Sequence, residues 1–213
     1  MEQIPFPAKE RLLYLMRLLE RANAEEPLTP GRIEALTGWA SHTVINDISF
    51  LSAEAAPDSS GVYDPAALVP LIKKALGLRQ RRKFCVVGLG RLGSAYLNTS
   101  ELDGSEFELA AGFDTNVNRT EILKSPVPLY PAYKMGEVIS RFKIEIAMLC
   151  VPAQAAQSVA ENLSAAGIRG ILNFAPVIIT VPPGIAVRNI YLTDELRALS
   201  IKMIPEISVN DLT

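Results

Sequence analysis

A glycine-rich hexapeptide, Gly88–Gly93, is the feature that most restricts how this chain can fold. It reads Gly-Leu-Gly-Arg-Leu-Gly and directly follows the apolar run Phe84–Val87, while the helical stretch Arg91–Asn98 begins within it. A strand, a glycine turn and a helix start in this order are typical of the first βα unit of a dinucleotide-binding domain. The hexapeptide therefore predicts a Rossmann-type α/β domain.

The three glycines have separate physical roles in such a turn. Gly88 would allow the tight turn, Gly90 would let a pyrophosphate approach the backbone, and Gly93 would let the helix pack closely on the strand. The unpaired N–H groups at the helix start would then face the phosphates. The predicted contact residues are Gly88, Leu89, Gly90, Arg91, Leu92 and Gly93.

An acidic residue stands where the ribose of the nucleotide is expected. Asp114 lies 21 residues after Gly93, at the end of the predicted strand Phe107–Phe113. Its carboxylate would accept hydrogen bonds from the ribose hydroxyls and repel a 2′-phosphate, which favours NAD(H) over NADP(H). The nearby Arg119 leaves that preference open, and a site for another nucleotide such as coenzyme A is the alternative interpretation.

Two later strand ends would border the same crevice. The runs Ile144–Cys150 and Arg169–Asn173 are predicted strands separated by a helix over 152–166, which indicates a parallel sheet with right-handed crossovers. Ligands of such sheets lie beyond the carboxyl ends of the strands. The residues at these ends either contact the nucleotide or are ordinary proline-containing loops: Val151, Pro152, Ala153, Asn173, Phe174, Ala175 and Pro176.

The first third of the chain has a different pattern, in which helices and one loop predominate. Helical periodicity predicts a helix over Pro7–Asn23, and Thr29-Pro30 begins a short helix. After a glycine turn, Ser41 is predicted to cap a helix that ends near Leu51. This order is a helix-turn-helix, and the loop over 52–63 lies where a winged-helix domain would have its β-wing.

These patterns divide the chain into four segments. The C-terminal helix Thr193–Met203 carries apolar residues on more than one face, so we expect it to pack against this chain or a partner. The predicted segments are a winged-helix domain over 1–76, a linker over 77–83, a Rossmann domain over 84–192, and a C-terminal helix and tail over 193–213.

Composition excludes several classes of function. The net charge of −2 gives no overall attraction to nucleic acid or anionic membranes, and the longest apolar runs are far shorter than the roughly 20 residues of a membrane helix. The N-terminus does not resemble a signal peptide, so we expect a cytoplasmic protein. His42 is the single histidine, and Cys85 and Cys150 are the two cysteines. We therefore expect no metal site and no catalytic residues; an oxidoreductase is the remaining enzymatic alternative.

Several of these segments together resemble the Rex family of redox-sensing transcriptional repressors. The resemblance lies in the glycine motif and in Phe113-Asp114, 151–153, Gly167-Ile168, 170–176, Leu192-Thr193 and Glu195-Leu196. It implies a bacterial homodimer whose C-terminal helix is swapped into the partner subunit. It also implies a winged-helix domain that binds operator DNA when NADH is low and releases it when NADH rises.

The chain departs from that family in its DNA-reading helix. Ile45 and Asn46 stand where the family has adjacent basic residues, and the helix over 41–51 contains no Lys or Arg. The wing segment 52–60 carries two acids and no base, and residues 1–82 hold ten basic and ten acidic side chains. The remaining DNA-binding candidates are Ser41, His42, Thr43 and Asn46 on the helix, with Arg79, Arg81, Arg82 and Lys83 in the linker.

The switch positions also differ, so two functional hypotheses remain. Tyr191 replaces the family's Asp before the C-terminal helix, and Thr99 replaces a Tyr, whereas Arg11 and Arg17 match. The first hypothesis is an NAD(H)-responsive repressor. The alternative is an NAD(H)-binding relative that no longer binds operator DNA and instead signals through a protein partner.

Overall fold

The computed structural model describes residues 4–21, 26–100 and 102–204. The chain divides into two compact units, Met1–Gln80 and Arg81–Thr213. The first unit is helical, and the second contains a parallel sheet with flanking helices.

Among its described residues, the first unit has four helices around its core. The helix that begins after Thr29 is capped as expected, because the Thr29 hydroxyl accepts the Arg32 N–H at 3.2 Å. Leu12, Leu15 and Ile33 are among the fully buried side chains of this core. The helices are α1 (Phe6–Arg21), α2 (Pro30–Thr37), α3 (Ser41–Ser49) and α4 (Pro65–Ala75).

The start of α3 differs from the sequence prediction. Ala40, and not Ser41, is the N-cap residue, and it supplies no side-chain cap. Glu34 of α2 takes that role, since its Oε1 accepts the Ser41 N–H at 2.8 Å. The predicted cap was therefore wrong, because a carboxylate of the preceding helix accepts the hydrogen bond at the start of α3. The helix also ends at Ser49, two residues before the predicted Leu51.

The segment between α3 and α4 is a compact loop. Ala53–Ala55 forms a 3₁₀ turn, and Asp58 accepts the N–H groups of Ser60 and Val62 at 2.9 and 3.0 Å. In the described part of this unit, the β-pairing consists of one antiparallel bridge between Leu28 and Tyr63. The wing position is thus occupied by a loop that is closed by a single bridge.

The second unit is built on a six-stranded parallel sheet with the order β3-β2-β1-β4-β5-β6. The four central strands agree with those predicted from the sequence, whereas β3, which is only three residues long, was not predicted. The strands are β1 (Arg82–Val87), β2 (Phe107–Asp114), β3 (Leu129–Pro131), β4 (Ile146–Leu149), β5 (Gly170–Asn173) and β6 (Ala186–Asn189).

Alternate residues of β1 contribute to two apolar clusters, one on each face of the sheet. Cys85 and Val87 belong to the larger cluster, and Phe84 and Val86 belong to the smaller one. The helices of this unit are α5 (Arg91–Leu97), α6 (Val117–Ile122), α7 (Met135–Phe142), α8 (Ala153–Ala165) and α9 (Leu192–Met203). Both faces of the central strands are covered, as parallel sheets require.

The basic run before β1 is partly incorporated into the sheet. β1 begins at Arg82, so Arg82 and Lys83 belong to a strand and not to a linker. Arg82 and Arg169 both pair with Glu145, at 2.9 and 3.0 Å. This ion-pair cluster lies at the amino ends of β4 and β5, at the edge opposite the carboxyl ends of the strands.

The helix α9 has no buried residue. Its large apolar side chains are exposed, including Leu192 at 74%. Four of them form a stripe along one side of the helix because they are spaced four, three and four residues apart. This α9 stripe consists of Leu192, Leu196, Leu199 and Met203.

Candidate nucleotide site

The strand order places a crevice at the carboxyl ends of β1 and β4. The chain turns from β1 to β2 on one side and continues with β4 on the other, so this is the topological switch point at which open α/β sheets bind ligands. A cavity of about 480 Å³ lies there. Five predicted contact residues line it: Gly88, Gly90, Asp114, Val151 and Pro152.

The glycine turn has the geometry that its sequence predicts. Gly88 has a φ of +90°, and a Cβ at this position would lie 2.6 Å from the Cys150 carbonyl oxygen. A Cβ on Gly93 would overlap the Gly88 carbonyl oxygen, whereas a Cβ on Gly90 would meet no described atom within 4 Å. Gly88 and Gly93 are therefore required by the fold, and Gly90 leaves open space in front of the backbone.

Asp114 is held in place by the turn that it faces. It is 5% exposed, and its Oδ2 accepts the Leu89 N–H at 2.7 Å while its Oδ1 accepts the Asn116 N–H at 2.8 Å. Arg119 adds an ion pair, with Nη1 at 2.9 Å from Oδ2. The carboxylate thus joins the ends of β1 and β2 at the rim of the cavity.

These contacts keep Asp114 ionised. Burial raises the pKa of Asp114, but the hydrogen bonds from Asn116, Arg119 and Leu89 lower it by more, so the pKa lies below its ordinary value. The site therefore presents a fixed carboxylate at neutral pH, and part of its charge is balanced by Arg119.

Five of the predicted residues of the glycine turn and of the β4 end do not line the cavity. Leu89 is buried and contributes its N–H to Asp114, and Gly93 is buried beneath the turn. Arg91 and Leu92 are exposed at the start of α5. Ala153 is the first residue of α8, and its neighbour Ala155 lines the cavity instead.

The segment after β5 is placed differently from the sequence prediction. Asn173 is fully buried, and its amide nitrogen donates to the Val177 carbonyl at 2.8 Å and to Asn189 Oδ1 at 2.9 Å. Its Oδ1 accepts the Ala175 N–H at 3.0 Å. Phe174 packs against Tyr96. None of 173–176 is among the residues lining the cavity, and Asn173 instead holds the loop against β6.

Several residues that line the cavity were not predicted to do so from the sequence. Ala132 and Met135 come from the 3₁₀ turn and helix that follow β3, and Thr115 and Arg119 follow β2. Arg119 was noted only as a neighbour of Asp114. Because β3 is three residues long, its sequence has no usable periodicity, and the elements after it could not be assigned to the site.

The DNA-binding candidates of the first unit lie on α3. His42 and Asn46 are exposed, and Ser41 and Thr43 are half-buried. Ser49, which the sequence analysis did not name, is also exposed one turn beyond Asn46. The opposite side of the helix is buried through Val44, Asp47 and Ile48.

Tyr191, at the altered switch position, is the N-cap residue of α9. Its hydroxyl is buried and has no hydrogen-bond partner among the described residues. Thr99 follows α5 and is half-buried. The two altered positions thus lie just after α5 and just before the first residue of α9.

The described part of the chain contains no cluster of three or more His, Cys, Asp or Glu side chains suited to a metal ion. Within the same residues, no helix combines the length and the apolar character needed to cross a bilayer. Burial raises the pKa of the Cys85 thiol to about 12 and that of Cys150 to about 11. Both cysteines are therefore thiols at neutral pH.

A helix-turn-helix unit followed by a nucleotide-binding α/β unit defines a class of transcription regulators controlled by a small molecule. Residues 79–177 match a family model described as a CoA binding domain. Over 203 residues the chain is 30% identical to the redox-sensing transcriptional repressor Rex of Porphyromonas gingivalis, covering 94% of this chain and 92% of that protein. The chain belongs to the Rex family of redox-sensing transcriptional repressors.

Solved structures agree with this assignment. RSP in complex with β-NAD⁺ and operator DNA is 26% identical, with a TM-score of 0.84 over 95% of this chain and 94% of that chain. RSP in complex with β-NADH has a TM-score of 0.83 and covers 95% of each chain. RSP is a Rex-family repressor. The predicted family, the predicted fold class and the prediction of a regulator instead of an enzyme are confirmed.

Proposed function

We propose that this chain is an NAD(H)-responsive transcriptional repressor that binds operator DNA and releases it when NADH rises. One observation carries the proposal: the cavity at the strand switch point is bordered by Gly88, Gly90 and Asp114, in a chain similar over nearly its whole length to a repressor solved with both nucleotide and DNA. In this proposal residues 1–76 bind DNA and residues 84–192 bind the nucleotide.

The nucleotide is proposed to lie along the turn with its pyrophosphate against Gly90. Open space in front of Gly90 lets the phosphates approach the backbone N–H groups at the start of α5. The Oδ1 atom of Asp114 can accept a further hydrogen bond from a ribose hydroxyl, since a carboxylate oxygen has two lone pairs. Val151 and Pro152 would form the apolar wall on the β4 side.

The face of α3 that would read DNA is formed by His42, Asn46 and Ser49. All three are exposed, and they follow one another at helical spacing. Ser41 and Thr43 would contact phosphates near the helix start. An asparagine can bind the N6 and N7 edge of adenine in two hydrogen bonds, so Asn46 is the candidate for direct base contact.

The chain is proposed to act as a cytoplasmic homodimer that uses α9. The α9 stripe is exposed, and an apolar surface of this kind is typical of an interface. We propose that the helix inserts into the partner subunit, as the family resemblance implies. A two-fold arrangement of this kind would present two copies of α3 to two half-sites of an operator.

DNA binding measured at low salt tests the proposal. Labelled DNA from the region upstream of this protein's own gene should bind, and NADH should weaken the binding while NAD⁺ should not. Asn46→Ala should reduce affinity by about tenfold. Asn98→Ala changes another exposed asparagine, in the second unit, and as the matched control it should have no effect. Failure to bind any DNA at low salt would contradict the proposal.

A second candidate function follows from the uncharged α3. The helix has no Lys or Arg, and the loop after it carries Glu54 and Asp58. DNA affinity depends strongly on cationic contacts with phosphate. In this alternative, the protein keeps NAD(H) binding but signals through a protein partner. Salt-dependent binding of the operator by the unmodified chain would eliminate it, whereas DNA binding that appears only in Asn46→Arg would favour it.

A further inference from the structure

The chain has one histidine, and it lies on the face of α3 that is proposed to read DNA. His42 is exposed in the first turn of this helix, and Asn46 and Ser49 follow it at helical spacing. The helix has no Lys or Arg, and its acid, Asp47, is buried and paired with Arg11. A protonated His42 is therefore the one positive charge that a side chain of α3 can present to DNA.

Protonation of His42 changes what α3 can offer to a phosphate. A neutral imidazole has one N–H donor and one acceptor, whereas the protonated ring has two donors and a positive charge. Hydrogen bonds to phosphate are stronger when the donor is charged. DNA phosphates favour the charged ring, so the complex holds the proton more tightly than the free protein does. The additional affinity is therefore present at low pH and is lost as the pH rises.

Glu34 of α2 places a negative charge beside the start of α3. Its Oε1 accepts the Ser41 N–H at 2.8 Å, and this hydrogen bond, together with the charge of His42, holds the pKa of Glu34 below its ordinary value. Glu34 is therefore ionised throughout the pH range in which an imidazole titrates. The N-terminal end of a helix disfavours a cation, and an ionised carboxylate nearby opposes that effect.

The elements that pack against α3 carry other charged side chains that could act on the histidine. These elements are α1, α2 and the 3₁₀ turn over 53–55. Arg11 of α1 is paired with Asp47 on the buried side of α3, and Arg32 of α2 is paired with Glu26 at 2.9 Å. Glu54 lies in the 3₁₀ turn beyond the last residue of α3, whereas the histidine is in its first turn. The acid of α2 is thus the charge that an experiment must change.

We infer that binding of operator DNA is coupled to protonation of His42, so that the protein binds DNA more tightly as the pH falls from 8 to 6. The inference rests on the proposed DNA-binding function and adds to it a second input besides the nucleotide. Histidine is the side chain that ordinarily changes its charge between pH 5 and 8. The thiols do not titrate in this range, because burial raises the pKa of Cys85 to about 12 and that of Cys150 to about 11.

Fluorescence-anisotropy titration of labelled upstream DNA with the full chain at pH 6, 7 and 8 tests the inference. Lowering the pH from 8 to 6 should strengthen binding by about tenfold for each α3 that contacts the DNA, as expected for one added hydrogen bond with a charged donor. The slope of log affinity against log salt concentration should also be steeper at pH 6, by about 0.9 for each added phosphate contact.

Substitutions of His42 separate the effect of its charge from that of its shape. His42→Gln keeps an N–H donor but cannot become charged, so its affinity should not rise at pH 6. His42→Arg is permanently charged, so it should bind tightly at both pH 6 and pH 8. Glu34→Gln keeps an acceptor for the Ser41 N–H but loses the negative charge, so the rise in affinity should move to lower pH. Ser49→Ala, on the same face, is the matched control and should keep the pH dependence.

The outcomes separate this inference from the proposed function. His42 is exposed, so its variants should keep the circular dichroism spectrum of the unmodified chain. A pH-independent His42→Gln together with tight binding by His42→Arg at pH 8 supports the inference. Equal affinity of the unmodified chain at pH 6 and pH 8 overturns it alone, as does a pH dependence that persists in His42→Gln. Absence of DNA binding at every pH and at low salt overturns the proposed function as well.

Discussion

Arg11 of α1 holds Asp47 of α3 through two hydrogen bonds, from Nε to Oδ2 at 2.6 Å and from Nη2 to Oδ1 at 2.8 Å. Asp47 is 1% exposed and lies on the buried side of the helix that carries His42 and Asn46. The orientation of α3 therefore depends on a charge pair with a residue 36 positions earlier in the sequence. This pair gives the matching Arg11 a role in positioning the proposed DNA-reading face.

Removing Arg11 should destabilise the first unit. Arg11→Ala leaves the Asp47 carboxylate buried without its charged partner, so we expect a loss of about 2–3 kcal/mol in the free energy of unfolding, below the full cost of breaking a buried pair because Arg11 is partly exposed. Urea unfolding followed by circular dichroism measures this loss. Arg17→Ala, an exposed arginine on the same helix, should change the free energy by less than about 0.5 kcal/mol. Equal effects from both substitutions would contradict the prediction.

Substitution by alanine should affect folding at Gly93 and nucleotide binding at Gly90. Gly93→Ala places a Cβ against the Gly88 carbonyl, so it should lower the free energy of unfolding by about 3 kcal/mol or prevent folding. Gly90→Ala meets no described atom, so the protein should fold normally but lose NADH affinity, because the methyl group occupies the space needed by the pyrophosphate. Thermal unfolding and NADH titration of both variants check this. Normal NADH affinity in Gly90→Ala would show that the phosphates lie elsewhere.

The α9 stripe should control the oligomeric state. Leu199→Asp puts a charge into the stripe and should weaken dimerisation by about a hundredfold, which corresponds to roughly 3 kcal/mol. Sedimentation equilibrium measures the dissociation constant. Ala198→Asp introduces the same charge on the other side of the helix and should leave the dimer intact. If the unmodified chain is a monomer at micromolar concentration, the proposed role of α9 is wrong.

The two cysteines should not react in the folded protein. Burial raises the pKa of Cys85 to about 12 and that of Cys150 to about 11, so the reactive thiolate is scarce near neutral pH. A thiol-specific reagent should label neither residue in the native state and both after unfolding. Labelling of Cys150 should become faster as the pH rises towards its pKa. Rapid native labelling at neutral pH would contradict the prediction.

Local sequence signals are enough to predict the geometry of the glycine turn and the position of Asp114 beside it. Gly88, Gly93 and Asp114 act through their immediate neighbours in space, and their spacing follows from one βα unit and the next strand. The role of Asn173 could not be predicted from local sequence signals. Its side chain bonds to Val177 and Asn189, and that role depends on β6 lying beside β5, which one strand's sequence does not specify.

Other differences arose where a side chain a few residues away made a contact that residue type alone does not specify. Ser41 has the residue type of an N-cap, but Glu34 of the preceding helix supplies the acceptor. Arg119 stands five residues after Asp114, and the turn between them brings its Nη1 to 2.9 Å from the carboxylate Oδ2. In both cases the partner is close in sequence, but the path of the backbone between the two residues decides whether their side chains meet.

The exposure of α9 has a consequence for how this protein is made. The helix follows all six strands in the sequence, so the strands are synthesised before α9. Each newly synthesised copy then displays an uncovered apolar stripe until something covers it. Chaperones and proteases act on such surfaces. The rate at which two new copies meet is proportional to the square of their concentration, so it falls steeply when few copies are present. A larger fraction of this protein should therefore be degraded when it is synthesised slowly than when it is synthesised rapidly.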